Sequence, residues 1–204
     1  MTGIIGAAMP QAPGTETALL ASGDRLATFV YGTGELIVQG PLTELWPPLK
    51  SRMIVAGGTS WHGDAQGLTF HLILDDFHYV AVPADWRPGH SGWQEFDLAT
   101  WKGWTGFPPL SARPKVFFSP DPKSGNQTVM NVVAGDALYV FDMHYNAPTK
   151  SPLPDWLRLP GGAEPDALLN HAETGTLYAF DGAGFRKRPN EPAGEWGPHT
   201  PFGM

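Results

Sequence analysis

The chain has 204 residues, a formal net charge of −7 at pH 7 and no cysteine. The acidic balance argues against a nucleic-acid partner, because neutralising phosphates requires a basic face, and the missing thiols exclude disulfides, thiolate zinc sites and iron–sulfur clusters. The apolar runs are far shorter than the roughly 20 residues of a membrane helix, so no membrane insertion is expected. With 25 glycines and 21 prolines beside 8 tryptophans, the composition predicts many short strands joined by turns around a folded core.

The first predicted unit, residues 1–50, begins with a stretch that lacks basic residues. We therefore expect no secretory signal and a cytoplasmic or otherwise unprocessed protein, with export by a non-standard route left open. Strands are predicted at residues 17–20 and 26–29 around a turn at Gly23 and Asp24. A further strand at 34–38 leads to Trp46 and two prolines, which end the unit.

The second unit, residues 51–113, places strands at 72–74 and 77–82 around a turn at Asp75 and Asp76. His71 and His78 flank this turn, so the group His71, Asp75, Asp76 and His78 invites interpretation as a metal site. However, Asp24 and Asp136 occupy the matching turn in other units, and chain reversal by itself explains such carboxylates. We therefore predict no side-chain metal site here.

Tryptophan is concentrated in this second unit, among Gly, Pro and Ser. Exposed tryptophans on such loops form flat stacking surfaces for sugars, ammonium groups or planar ligands. The alternative is that they pack onto the outer edge of the sheet. We predict a ligand-binding site made of Trp61, His62, Trp86, His90, Trp93, Trp101 and Trp104.

The third unit, residues 114–162, and the fourth, residues 163–204, repeat the same order. Strands are predicted at 132–134 and 138–141, followed by Trp156, and then at 166–169 and 177–180, followed by Trp196. This alignment makes Trp196 the equivalent of Trp46. The basic run Arg186, Lys187 and Arg188 predicts a solvated strand whose charges protect a sheet edge.

Four related units of three or four strands predict an all-β, four-bladed β-propeller, because one small sheet cannot bury its own apolar faces. The tryptophan that ends each unit would close a blade edge or wedge between blades. The length suits a single domain over residues 1–204. A five-bladed propeller and a β-sandwich remain alternatives.

Particular stretches resemble the hemopexin-type repeat. These are Trp156-Leu157-Arg158-Leu159-Pro160, Pro165-Asp166-Ala167, residues 176–182 with Phe185, and the separator at 42–49. The resemblance implies a disc with a narrow central channel, an ion held there by main-chain carbonyls, and binding rather than catalysis. It argues against haem, since a single domain offers no inter-domain cleft. This sequence departs from the family in having no cysteines that could join the first blade to the last.

The sequence therefore favours a ligand-binding propeller that recognises a small molecule, a glycan or a protein. No cofactor is predicted apart from the channel cation. An enzyme of specialised metabolism, of cyclase or isomerase type, and a structural or interaction protein of a larger assembly remain alternatives. No catalytic residue is assigned, although His62 with Asp64 and His144 with Asp142 offer acid–base pairs in principle. The oligomeric state is left open.

Overall fold

The computed structural model describes residues 5–11, 15–61, 67–89, 91–120, 128–141, 147–171, 173–189 and 194–203. Within these ranges the chain forms four sheets of four antiparallel strands, each a meander in chain order. The first strand of each sheet contacts the first strands of the sheets before and after it, which closes a ring. The predicted four-bladed propeller is confirmed, and the five-bladed and sandwich alternatives are wrong.

The blades follow one another along the chain. Blade 1 contains β1 (Ala7–Pro10), β2 (Thr17–Ser22), β3 (Arg25–Val30) and β4 (Leu36–Pro41). Blade 2 contains β5 (Ile54–Trp61), β6 (Leu68–Leu74), β7 (His78–Pro83) and β8 (Gln94–Asp97). Blade 3 contains β9 (Lys115–Pro120), β10 (Thr128–Ala134), β11 (Ala137–Phe141) and β12 (Thr149–Pro152). Blade 4 contains β13 (Ala167–His171), β14 (Thr176–Asp181), β15 (Gly184–Pro189) and β16 (Thr200–Pro201).

The helical segments are short and lie in the connections. They are α1 (Leu42–Leu45) and 3₁₀ turns at Pro47–Leu49, Leu110–Ala112, Asp155–Leu157 and Pro160–Gly162. Within the described part of the chain, no helix has the length and the apolar composition needed to span a bilayer.

The four inner strands β1, β5, β9 and β13 can converge on the axis because β1 and β5 are rich in small residues. A Cβ added to Gly6, the residue before β1, would lie 2.0 Å from the carbonyl oxygen of Ile54, so only glycine allows the chain that enters β1 to approach β5 this closely.

Each pair of adjacent blades encloses one hydrophobic cluster. Trp46, 2% exposed, packs between blades 1 and 2, and Trp104, 1% exposed, packs between blades 2 and 3. Leu157 lies in the cluster between blades 3 and 4, whereas Phe29 and Phe180 fill the one between blades 4 and 1. These two tryptophans are therefore wedges between blades, one of the two roles predicted for them.

The alignment of the fourth unit was wrong by one strand. The hairpins around Gly23 and Asp75 join the second and third strands of their blades, but the turn at Gly175 joins the first strand β13 to the second strand β14. Trp196 accordingly precedes the last strand of its blade, whereas Trp46 follows the last strand of blade 1. The predicted number of four blades is nevertheless correct, because every blade contains similar hairpins.

The prediction that the basic run at 186–188 is a solvated strand was wrong for one residue. Arg188 is 2% exposed, and its guanidinium lies over the rings of Trp156 (5.2 Å to the centroid) and Trp196 (5.8 Å). It donates hydrogen bonds to the carbonyl oxygens of Trp156 and Pro189. Arg188 is thus a buried cation stacked on aromatic rings, not part of a solvated edge.

Candidate functional site

The described tryptophans of the predicted site lie in two separate clusters. Residues on one face of blade 2, including Trp86 and the partly buried Trp93, pack towards blade 1. Trp104 and the partly buried Trp101 pack towards blade 3. The four tryptophans therefore do not share one surface, because the segment before β8 packs on one face of blade 2 and the segment after β8 packs on the other.

Trp101 and Trp104 belong to the core between blades 2 and 3. The Trp101 ring stacks on Phe96 with centroids 4.4 Å apart and on Tyr79 at 5.2 Å, and Trp104 lies 4.1 Å from Tyr79. This arrangement matches the alternative that the tryptophans serve packing. His62 and His90 lie outside the described residues, as does the side chain of Trp61, and so do His144 and the acidic partners Asp64 and Asp142. A ligand-binding role for Trp61, His62 and His90 stays a prediction, and the two acid–base pairs stay untested.

A groove of about 600 Å³ runs between blades 1 and 2 and includes Trp86 in its lining. Its floor is aromatic, since Trp46 and Phe70 meet there with ring centroids 5.3 Å apart and Trp86 contacts Trp93 at 5.4 Å. We call this the inter-blade groove. Among the described members of the predicted set, Trp86 is thus the one that lines this groove.

The rim of the inter-blade groove is polar. Its members are the amides of Gln11 and Gln39, the hydroxyls of Thr15 and Thr28 and the carboxylate of Glu44. A register shift between β3 and β4 leaves Gln39 unpaired in the ladder, and its amide Nε2 donates a hydrogen bond to Thr28 Oγ1 at 3.1 Å. No Lys or Arg is found among the described residues that line it.

A second cavity, of about 890 Å³, lies where the four inner strands begin. We call it the channel-mouth cavity. Apolar side chains at the starts of these strands and in the linkers supply most of its wall, among them Ile5, Ile54 and Leu110. Sequence reasoning missed this cavity, because its lining comes from short stretches of all four blades that only the closed ring brings together.

Five ionisable side chains line the channel-mouth cavity: Asp24, Arg25, Arg113, Lys115 and Asp166. Asp166 belongs to the Asp-Ala pair that resembles the hemopexin repeat. Its carboxylate lies 3.6 Å from Arg113 Nη2 and accepts a hydrogen bond from the backbone N–H of Ile5 at 3.5 Å. Burial outweighs these contacts and raises the pKa of Asp166 above its ordinary value.

The four residues considered as a metal group do not converge. Asp75 accepts a hydrogen bond from the backbone N–H of Met53 at 3.1 Å, and Asp76 lies 3.2 Å from His78 Nδ1. His71 is 3% exposed and points into the core, where other partners bind both ring nitrogens. No group of three or more metal-ligating side chains exists within the described ranges.

A buried polar chain in blade 2 was not predicted. Ser60 Oγ lies 2.7 Å from His71 Nε2, and His71 Nδ1 lies 2.8 Å from the Tyr79 hydroxyl. The order hydroxyl, imidazole, hydroxyl is similar to that of a nucleophile, its general base and the group that orients the base. However, the three residues are 0%, 3% and 3% exposed and line neither of the two cavities, so this chain satisfies buried polar groups rather than meeting a substrate.

The ring of four four-stranded blades makes this chain a four-bladed propeller, and solved structures of the hemopexin fold share that architecture. A hemopexin fold protein from cow pea superposes with a TM-score of 0.68 at 12% identity, covering 98% of this chain and 94% of that chain. A plant lectin with two metal binding sites from Cicer arietinum gives 0.67 at 15% identity, covering 98% and 93%. A plant albumin from Cicer arietinum showing hemagglutination gives 0.61 at 16% identity, covering 99% and 92%.

These likenesses show the fold alone. No protein-family model matches the sequence, and no curated protein matches it. The resemblance to the hemopexin repeat is therefore confirmed at the level of the fold. The channel cation that the resemblance implies stays a prediction.

Proposed function

We propose that this protein is a binding protein and that it holds a glycan in the inter-blade groove. The observation that carries the proposal is the lining of the groove, which sets an aromatic floor beside amide, hydroxyl and carboxylate groups without a cation among the described lining residues. A sugar ring presents apolar C–H faces that pack on aromatic rings and hydroxyls that pair with amides and carboxylates. A volume of about 600 Å³ is in the range of small-molecule sites.

The proposal keeps Trp86 from the predicted site and gives the other described tryptophans different roles. Trp93 packs against Trp86 and donates from its indole Nε1 to Glu95 Oε2 at 3.3 Å. Glu95 in turn accepts a second hydrogen bond from Arg52 Nη2 at 3.1 Å. Trp93 thereby supports Trp86 from outside the lining of the groove.

Two of the solved structures that share this fold support a glycan over other ligands. One is described as a lectin and the other as an albumin that shows hemagglutination. A glycan is therefore the ligand class to test first.

The test is a glycan array with the whole chain, followed by calorimetric titration of the glycan that binds best. Gln39→Ala removes a rim amide that is exposed and contributes no core packing, so the fold should survive. We expect about fivefold weaker binding, the loss of one hydrogen bond of about 1 kcal/mol. Gln94→Ala, an exposed glutamine on the outer strand of blade 2, is the matched control and should bind as the wild type does.

Two results would overturn the proposal. One is the absence of binding to every glycan on the array. The other is a glycan whose affinity is the same for Gln39→Ala, for Thr28→Val and for the wild type, because that glycan binds elsewhere.

A further inference from the structure

The channel-mouth cavity contains a buried cation with spare hydrogen-bonding capacity. Lys115, the first residue of β9, is 4% exposed and lines the cavity. Its ammonium donates to Glu164 Oε2 at 3.3 Å, and Glu164 itself is exposed to solvent. A lysine ammonium has three N–H donors, so two of them find no acceptor in the part of the chain that the structure describes. Buried donors of this kind need a further acceptor.

The charges around the cavity balance one another on an otherwise acidic chain. Arg25, Arg113 and Lys115 supply three positive charges, on a chain whose formal charge is −7. The carboxylates of Asp24 and Asp166 in the lining, and of Glu164 on Lys115, supply three negative charges. Asp166 is already engaged by Arg113 and by the backbone N–H of Ile5. The cavity is therefore a region without net negative charge on an acidic protein, where an anion meets less repulsion than the net charge of the chain would give.

The remaining wall is apolar. Ile54 is buried, and Val55 and Leu110 are half-buried along the same cavity. A ligand that used only the charges would leave this wall in contact with water, whereas a hydrocarbon body would cover it.

We propose that the channel-mouth cavity binds an amphipathic organic carboxylate. The carboxylate accepts hydrogen bonds from the Lys115 ammonium and pairs with Arg113 at its edge, and the hydrocarbon body packs on Ile54, Val55 and Leu110. This site differs from the inter-blade groove in place and in chemistry. The two proposals can therefore fail independently.

The experiment compares three probes that share one hydrocarbon chain: decanoate, decanol and decyltrimethylammonium. Binding is measured by calorimetry with the whole protein below the micelle concentration of each probe. We expect decanoate to bind at least tenfold more tightly than decanol, and the cationic probe to bind more weakly than decanol. Lys115→Met preserves the length of the side chain and removes the charge, so it should reduce the preference for decanoate over decanol to less than threefold.

Lys102→Met, at an exposed lysine outside the cavity lining, is the matched control and should keep the tenfold preference. If Lys115→Met does not fold, Arg113→Gln at an exposed position tests the same charge preference and should reduce it. Equal binding of decanoate and decanol to the wild type would overturn the proposal. So would an unchanged preference in folded Lys115→Met or in Arg113→Gln, or tightest binding of the cationic probe.

Discussion

The ring of Phe202, near the C-terminus, meets the ring of Phe29 on blade 1 edge-on, with centroids 6.1 Å apart. Next to it, the backbone N–H of Gly203 donates to the carbonyl oxygen of Gly34 at 3.0 Å, and the N–H of Leu36 donates to the oxygen of Gly203 at 3.2 Å. The segment that follows β16 therefore belongs to blade 1 as much as to blade 4. In a chain without cysteine, these contacts join the last blade to the first.

This junction should contribute measurably to stability. We expect Phe202→Ala to lower the free energy of unfolding by about 2 kcal/mol, less than for a fully buried phenylalanine because Phe202 is half-buried. Ile37→Ala removes an apolar side chain of blade 1 that is 44% exposed and should cost about 0.5 kcal/mol or less. Denaturant unfolding measures both, and equal losses would show that the C-terminal segment does not hold the ring closed.

Gly34 is required at this junction for two reasons that can be separated. Its φ of +72° disfavours any side chain, and an added Cβ would lie 2.9 Å from Cε1 of Phe185. Gly23 has a φ of +59° with no atom near an added Cβ, so Gly23→Ala carries only the backbone cost, about 1 kcal/mol. We expect Gly34→Ala to cost about 2 kcal/mol or more, and Gly34→Ala combined with Phe185→Leu to recover part of the difference. If Gly34→Ala and Gly23→Ala lower the free energy of unfolding equally, the contact between the added Cβ and Phe185 has no cost.

The buried hydroxyl of Tyr79 is expected to stabilise blade 2. Tyr79→Phe removes the group that bonds His71 Nδ1, and we expect a loss of about 1–2 kcal/mol in the free energy of unfolding. Tyr139→Phe, at a half-buried tyrosine of β11 whose ring lies under the Lys150 ammonium, is the control and should stay within about 0.5 kcal/mol of the wild type. If both variants unfold alike, the hydrogen bond contributes nothing net.

The carboxylate of Asp181 should make stability fall on the acid side. Burial alone would raise its pKa, but hydrogen bonds from the backbone N–H groups of Ala183 and Gly184 and from His199 hold the pKa of Asp181 below its ordinary value. Because the unfolded chain then takes up the proton first, this stabilisation is complete above the ordinary pKa and is lost as the pH falls towards the folded value.

Asp181→Asn is therefore expected to lower stability at neutral pH and to flatten the decline between about pH 5 and pH 2. Asp155→Asn, at a fully exposed carboxylate, is the control. Denaturant unfolding at a series of pH values checks both, and a variant that declines as steeply as the wild type would rule out this role for Asp181.

The sequence predicted those elements that local chemistry specifies. The hairpin at Gly23 and Asp24 and the one at Asp75 and Asp76 lie where turn residues interrupt alternating apolar runs. The inner strand β5 was missed because Ala, Gly and Ser predominate in it, and its small residues match no strand pattern although they are what the axis requires. The tryptophans of blade 2 were predicted together because they are close in sequence, yet they separate onto two faces of one sheet.

By itself, the sequence determined that the chain is all-β and that it has four units, because turn residues and alternation act over short stretches. Which of their two predicted roles Trp46 and Trp104 have was decided by the packing of adjacent blades. Only the tertiary structure decided where cavities lie. The inter-blade groove needs residues of two blades and the channel-mouth cavity needs residues of all four, and ring closure places such residues side by side. The environment of Lys115 is decided in the same way, since its ammonium pairs with Glu164, which lies 49 residues further along the chain.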